Sequence, residues 1–215
     1  MKKNLLLLFV IVMSLQGSAR EKFGIDFGIG AKAGLNFNKV VGSEWKDQFS
    51  TDPHAGLFAF VNTLRLGIQA EVFWSQSHIT TDSSFYGLYH QYYNQLSDSL
   101  KNGKFQFTTI SIPLLVNLKL AQFLWLQGGP QYTASVSTSD ENHLLKSGID
   151  IVKANNFNLL GGLWFEFGRR SSAIRLNAGI RYISGINSMS NMQTVTGDKQ
   201  EWKNQMIQIH AGFNF

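Results

Sequence analysis

The chain contains no cysteine. Disulfides, thiolate metal sites, cysteine nucleophiles and a lipid anchor on an N-terminal cysteine are therefore excluded. Charge is also scarce: Asp, Glu, Lys and Arg make up 15% of the residues, against about 25% in ordinary soluble domains. Long apolar runs are missing as well. Leu5 to Met13 is apolar for nine residues, roughly half of the ~20 that a membrane-spanning helix needs. That run follows Lys2 and Lys3 and precedes the small residues Gly17, Ser18 and Ala19. The order matches a secretory signal peptide over residues 1–19, cleaved on export. Residues 20–215 are then the mature chain, read as a single domain. It carries 17 basic residues (19 less Lys2 and Lys3) against 14 acidic ones. So mild an excess excludes nucleic acid as the expected partner.

What the chain does have is glycine (20 residues), phenylalanine (17 residues) and alternation. From Phe23 to Asn38 the odd positions read Phe, Ile, Phe, Ile, Ala, Ala, Leu, Phe, and the even ones Gly, Asp, Gly, Gly, Lys, Gly, Asn, Asn. A period of two puts these sets on opposite sides of one strand. The pattern returns over residues 64–74, 110–120, 124–136, 157–167, 174–182 and 207–215. Residues 54–62 form a less regular eighth segment, with Phe58 and Phe60 out of phase.

The connections alternate between long polar segments (about 40–53, 78–104, 138–154 and 186–203) and short ones near 62–63, 121–123 and 168–172. Transmembrane barrels are built this way, with short periplasmic turns and long external loops. The other face combines glycine with scattered charges, as a crowded interior requires, while aromatics mark the strand ends of the apolar face. The expected fold is all-β: an eight-stranded antiparallel up-and-down barrel whose apolar face meets outer-membrane lipid. Pro113, in mid-strand, predicts a local bulge.

Several stretches carry a family resemblance. They are Gly30-Ala31-Lys32-Ala33-Gly34-Leu35-Asn36-Phe37, Ala55 to Ala59, Leu66 to Ser75, Ile110 to Val116, Gly128-Gly129-Pro130, Gly161-Gly162 and Arg181-Tyr182. In these the chain resembles the PorT-like outer-membrane β-barrel proteins of Bacteroidetes over nearly all of its mature length. The resemblance implies a non-enzymatic barrel in the outer membrane, and one branch of that family is implicated in secretion and gliding. Phe213-Asn214-Phe215 resembles the terminal aromatic signal read by outer-membrane assembly machinery.

No residue set points to catalysis or to a cofactor. Gly28 to Ala33 fits a relaxed dinucleotide fingerprint but lies inside an alternating strand. His54, His78, His90 and His143 fall in or beside loops, and His210 on an inward face, with no metal-ligand spacing. His78 with Asp82, Ser83 and Ser84 is local proximity without triad geometry. The inward charges Asp26, Lys32, Arg65, Glu71, Lys119, Glu166, Arg175 and Arg181 must pair, because an isolated buried charge costs several kcal/mol. Glu166 is expected to face Arg175 across the last short turn, and Glu71 to meet Arg181 across the lumen. Residues 79–104 hold Phe85, Tyr86, Tyr89, Tyr92 and Tyr93, partly at helical spacing. They form the candidate surface for a partner, whether a surface molecule or a secretion component. The alternative is that these rings only pack against neighbouring loops, and a narrow transport path is the other functional reading.

Overall fold

A computed structural model describes residues 24–87, 103–140, 152–168, 172–192 and 200–215. Eight strands follow in chain order: β1 (Asp26–Val41), β2 (Ser50–Asn62), β3 (Leu66–Thr80), β4 (Lys104–Ala121), β5 (Leu124–Asp140), β6 (Asn155–Phe167), β7 (Arg175–Gly185) and β8 (Lys203–Asn214). Each pairs antiparallel with its sequence neighbours, and β1 pairs with β8, so the sheet closes on itself. Closure leaves no edge strand, so the backbone groups along each strand find partners within the ring.

The alternation separates the two faces as expected. Leu57, Ile68, Val72, Leu114, Val116, Leu159, Leu176 and Ile209 stand exposed on the outer wall. Leu57 is 66% exposed, a value that for an aliphatic residue in a long strand marks a wall built to meet something apolar. Asp26, Lys32, Glu71, Asn117, Gln127, Arg175, Arg181 and Gln208 are buried inside. Arg65 departs from the expectation: it is exposed, in the turn before β3.

The interior is not purely polar. Phe58 and Phe60, the out-of-phase pair, point inward and pack with Trp125 and Trp164. Nearer the long-loop end lies a second apolar layer, Leu115, Leu160, Ile183 and Met206. At the long-loop end itself Val40, Trp45, Ile79, Phe85, Phe105, Phe107, Val152, Met192 and Trp202 form a third cluster that caps the lumen.

Glycines make room for these rings. Gly30 faces Phe58 on β2, and a Cβ there would lie 2.6 Å from the tip of that ring and 2.2 Å from the Phe213 carbonyl. Gly168, just past β6, has φ +123°, a backbone angle that L side chains rarely adopt.

No bulge occurs at Pro113. Ala70 faces Leu114 and Phe73 faces Ser111 in one register, while Pro113 faces Gln131 on β5. The two register shifts on the β4–β5 seam fall at Thr108/Thr109 and Lys119/Ala121 instead. Beside the proline the β3–β4 pairing is interrupted, with Glu71 and Val72 unpaired to Pro113 and Ile112, but the register on either side is the same.

Candidate functional site

The lumen holds two charge networks, each built by inward positions of several strands. At the short-turn end, Arg175 opens β7. Its Nη1 donates to Asp26 Oδ2 at 2.5 Å and its Nη2 to Asp26 Oδ1 at 3.1 Å. Nη1 also lies 2.8 Å from Glu166 Oε1. The geometry differs from the expected facing pair: Glu166 faces Asn177, and Phe167 faces Leu176. Ile174 still belongs to the turn, so Arg175 sits one alternation closer to the hairpin and reaches Glu166 diagonally, within range of a long side chain.

The second network lies further up. Arg181 Nη1 donates to Glu71 Oε2 at 2.7 Å, and Nη2 to Oε1 at 2.8 Å. β3 and β7 are opposite walls, so this fork spans the lumen. Lys32 Nζ donates to the same Oε1 at 2.6 Å, and Gln69 Nε2 donates to it as well. Arg181 Nε and Nη2 also donate to Gln127 Oε1, at 3.2 and 2.6 Å. An amide chain continues the network: Gln127 Nε2 donates to Gln69 and Asn117, and Asn117 Nδ2 to Asn62. The side chains of Glu71 and Arg181 are both 0% exposed, so their charges are compensated by each other and by the amides, not by water. The mid-lumen network has two cations on one anion and the lower one two anions on one cation, so the six groups balance.

Of these residues the inward phase identifies every charged member. The amide chain Gln69, Asn117 and Gln127 carries no sequence signal beyond that phase. Lys119 is half-buried, with Nζ 5.3 Å from the Trp125 ring.

Of the described histidines, one departs from its expected place. His54, expected at a loop, is buried in the lumen with His210, their ring centroids 6.4 Å apart. Neither ring nitrogen of either has a hydrogen-bond partner within the protein. His78 turns its Nδ1 to Asp52 and not to Asp82, whose Oδ1 accepts from the Ser83 hydroxyl. His90 and His143 lie outside the described residues. Among the described residues no cluster of three or more metal-ligating side chains occurs.

The candidate contact loop divides. Phe85 is 0% exposed and packs against Trp45, Phe105 and Trp202, with ring centroids 5.6, 5.7 and 6.2 Å away. It is a wall of the cap and offers no surface to a partner. Tyr86 is partly buried against the same cluster. Both lie on a single helical turn over residues 83–87. Tyr89, Tyr92 and Tyr93 lie outside the described residues.

Beneath the cap a cavity of about 40 Å³ is lined by Ser77, Thr109, Ser111, Thr133, Asn158 and Met206, among others. Hydroxyls and amides around so small a space suit a few waters, each needing some 10–15 Å³.

Among solved structures the chain is similar to Ail, the attachment invasion locus protein of Yersinia pestis, solved with the heparin analogue sucrose octasulfate. Identity is 10% and the TM-score 0.45, over 88% of this chain and 99% of that one. It is similar to Neisserial surface protein A at 13% identity and TM-score 0.47, over 89% and 99%. For the translocator domain of the autotransporter NalP from Neisseria meningitidis the identity is 11% and the TM-score 0.37, over 97% and 95%. No curated protein matches. The family model for the outer membrane protein beta-barrel domain matches residues 16–191. The chain belongs to that family, and its place is the outer membrane.

Proposed function

We propose that the chain is a non-enzymatic barrel, exported by a signal peptide over residues 1–19, that acts at its extracellular end as a binding or scaffolding protein and not through its lumen. The observation that carries this reading is the filled interior. Three apolar layers and two charge networks are stacked along the lumen, and Arg181 with Glu71 bridges it from wall to wall. A diffusing solute would have to break a buried ion pair at a cost of several kcal/mol. What is left for function is the outer surface, where the connection between β3 and β4 is far longer than two adjacent strands need. Its tyrosines offer large contact area with a polar tip. A surface molecule or a component of a secretion or gliding apparatus is the partner class, in line with the PorT-like resemblance.

Two measurements test the reading. Reconstituted into a planar bilayer, the protein is expected to show no steady conductance, and a stable open pore would overturn the proposal. Photo-crosslinking side chains at Tyr89 and Tyr92 are expected to give protein or glycan adducts on intact cells. Excising Leu88 to Leu100 spares Phe85 and so the cap, and is expected to abolish the adducts while the barrel still assembles.

A further inference from the structure

His54 and His210 flank β1 inside the barrel. Gly34, midway along β1, pairs with His54 on one side and with His210 on the other. The rings fit because glycines leave them room. A Cβ at Gly34 would lie 2.8 Å from His54 Cε1, and one at Gly179 on β7 would lie 2.6 Å from His210 Cε1. Both residues are 2% exposed, and none of their four ring nitrogens has a hydrogen-bond partner within the protein. The His54 ring also meets Phe73 edge-on, with centroids 5.7 Å apart.

The charges around the pair come from four strands. β1 brings Lys32, two residues from Gly34 on the same inward face, and β7 brings Arg181, two residues from Gly179. β3 brings Glu71, which already accepts from both Nη atoms of Arg181, from Lys32 Nζ and from Gln69 Nε2. β2 brings Asp52, two residues from His54. It already accepts from Ser50 Oγ at 2.7 Å, from Asn38 Nδ2 and the His78 backbone N–H at 3.0 Å each, and from the His78 ring. β8 brings the uncharged Gln208, whose Nε2 donates to Asn36 at 3.0 Å. The other buried carboxylates among the described residues lie elsewhere. Asp26 and Glu166 hold Arg175 at the short-turn end, and Glu44 accepts from the Trp202 indole in the cap.

We propose that His54 and His210 form an acid-sensitive lock on the closed barrel. Neutral imidazoles fit the space between the strands. An imidazolium at either place adds a third cation beside Lys32 and Arg181, while both carboxylates within reach are already taken. A buried charge without a partner is costly. In the opened chain the same rings meet water and take up protons at about pH 6.5. Acid therefore favours the open form, which binds more protons. The stability contributed by the pair is whole above about pH 6.5 and is lost as the pH falls below it. Carboxylates titrate at about pH 4, so a window from about pH 7.5 to 5.5 isolates histidine. The proposal rests on the barrel interior and not on the loop-contact reading, so either can fail alone.

The test uses the full mature chain folded in uncharged detergent micelles. Urea unfolding is followed by heat-modifiable gel mobility at about pH 7.5 and about pH 5.5. For wild type the unfolding equilibrium constant is expected to rise about tenfold per histidine, and so about a hundredfold for the pair. His54→Gln/His210→Gln keeps polar side chains and is expected to lose most of that rise, and each single variant about half of it on a logarithmic scale. His78→Gln, at the rim, is expected to keep it in full. An unchanged rise in the double variant overturns the proposal, as does a wild-type constant that does not move with pH. A His78→Gln barrel that no longer responds would assign the effect to the rim and overturn it too. Should the double variant not fold, nitrogen NMR of the wild-type imidazoles decides. Of the five histidines, two are expected to keep the signals of neutral rings at about pH 5.5 while the barrel stays closed. Five rings titrating together at about pH 6.5 would overturn the lock.

Discussion

Glu71 is the anion on which the mid-lumen contacts converge, with Arg181, Lys32 and Gln69 all donating to it. Glu71→Gln removes the charge but nearly keeps the shape. It leaves Arg181 and Lys32 as two buried cations without an anion, so it is expected to cost about 3–5 kcal/mol. Urea unfolding followed by gel mobility measures this. Asp47→Asn, which breaks the solvent-facing pair with Lys39, is the control and is expected to cost below about 1 kcal/mol. Comparable losses in the two would mean that the lumen pair is as well hydrated as the surface one. The sequence phase already placed Glu71 and Arg181 inside. It did not reveal Asp26 as the partner of Arg175, because β1 and β7 become near neighbours only through β8, at closure.

Among the elements, β2 was the hardest to read, and its packing explains why. Leu57 and Val61 face outward, yet Phe58 and Phe60 face inward against Trp164. With apolar residues on both faces the alternation cancels, as in any strand buried on both sides. Trp164→Ala would leave a void between Phe58, Phe60 and Trp125, and is expected to cost about 3–5 kcal/mol in the same unfolding measurement. A small loss would show that the rings collapse into the space. The helical turn over 83–87 belongs to the cap, so Phe85→Ala is expected to act locally. It should speed proteolysis of the extracellular loops while the strands keep their gel mobility. A variant cleaved no faster than wild type would remove Phe85 from the cap. Strand ends were legible only as far as the apolar wall extends. β3 and β4 continue to Thr80 and from Lys104, where both faces are polar or mixed and a period of two no longer stands out.

For the whole molecule, closure makes the last strand indispensable. Removing residues 203–215 deletes the partner of both β1 and β7 and exposes two strand edges in lipid. The truncated chain is expected to give no heat-modifiable band after refolding into detergent; a shifted band would mean that seven strands close by themselves. Deleting Phe215 alone is a milder case, since the ring packs on Phe213 and the residue adds one backbone bond to Ile29. Refolding in vitro is expected to survive, while insertion in cells falls, because the terminal aromatic is the proposed signal to the assembly machinery. Equal insertion of both forms would count against that role.

By itself the sequence determined the class, the strand number, the alternation of long and short connections, and which face is apolar. These follow from local periodicity, which one strand displays without its neighbours. Only the tertiary structure decided that Arg175 pairs with Asp26 and Lys32 with Glu71, that His54 lies in the lumen, that the register shifts avoid Pro113, and that Phe85 is a cap residue. Each of these depends on register and closure. A shift of two residues at a turn, such as the one that sets Glu166 opposite Asn177, keeps every side chain on its own face while changing every partner.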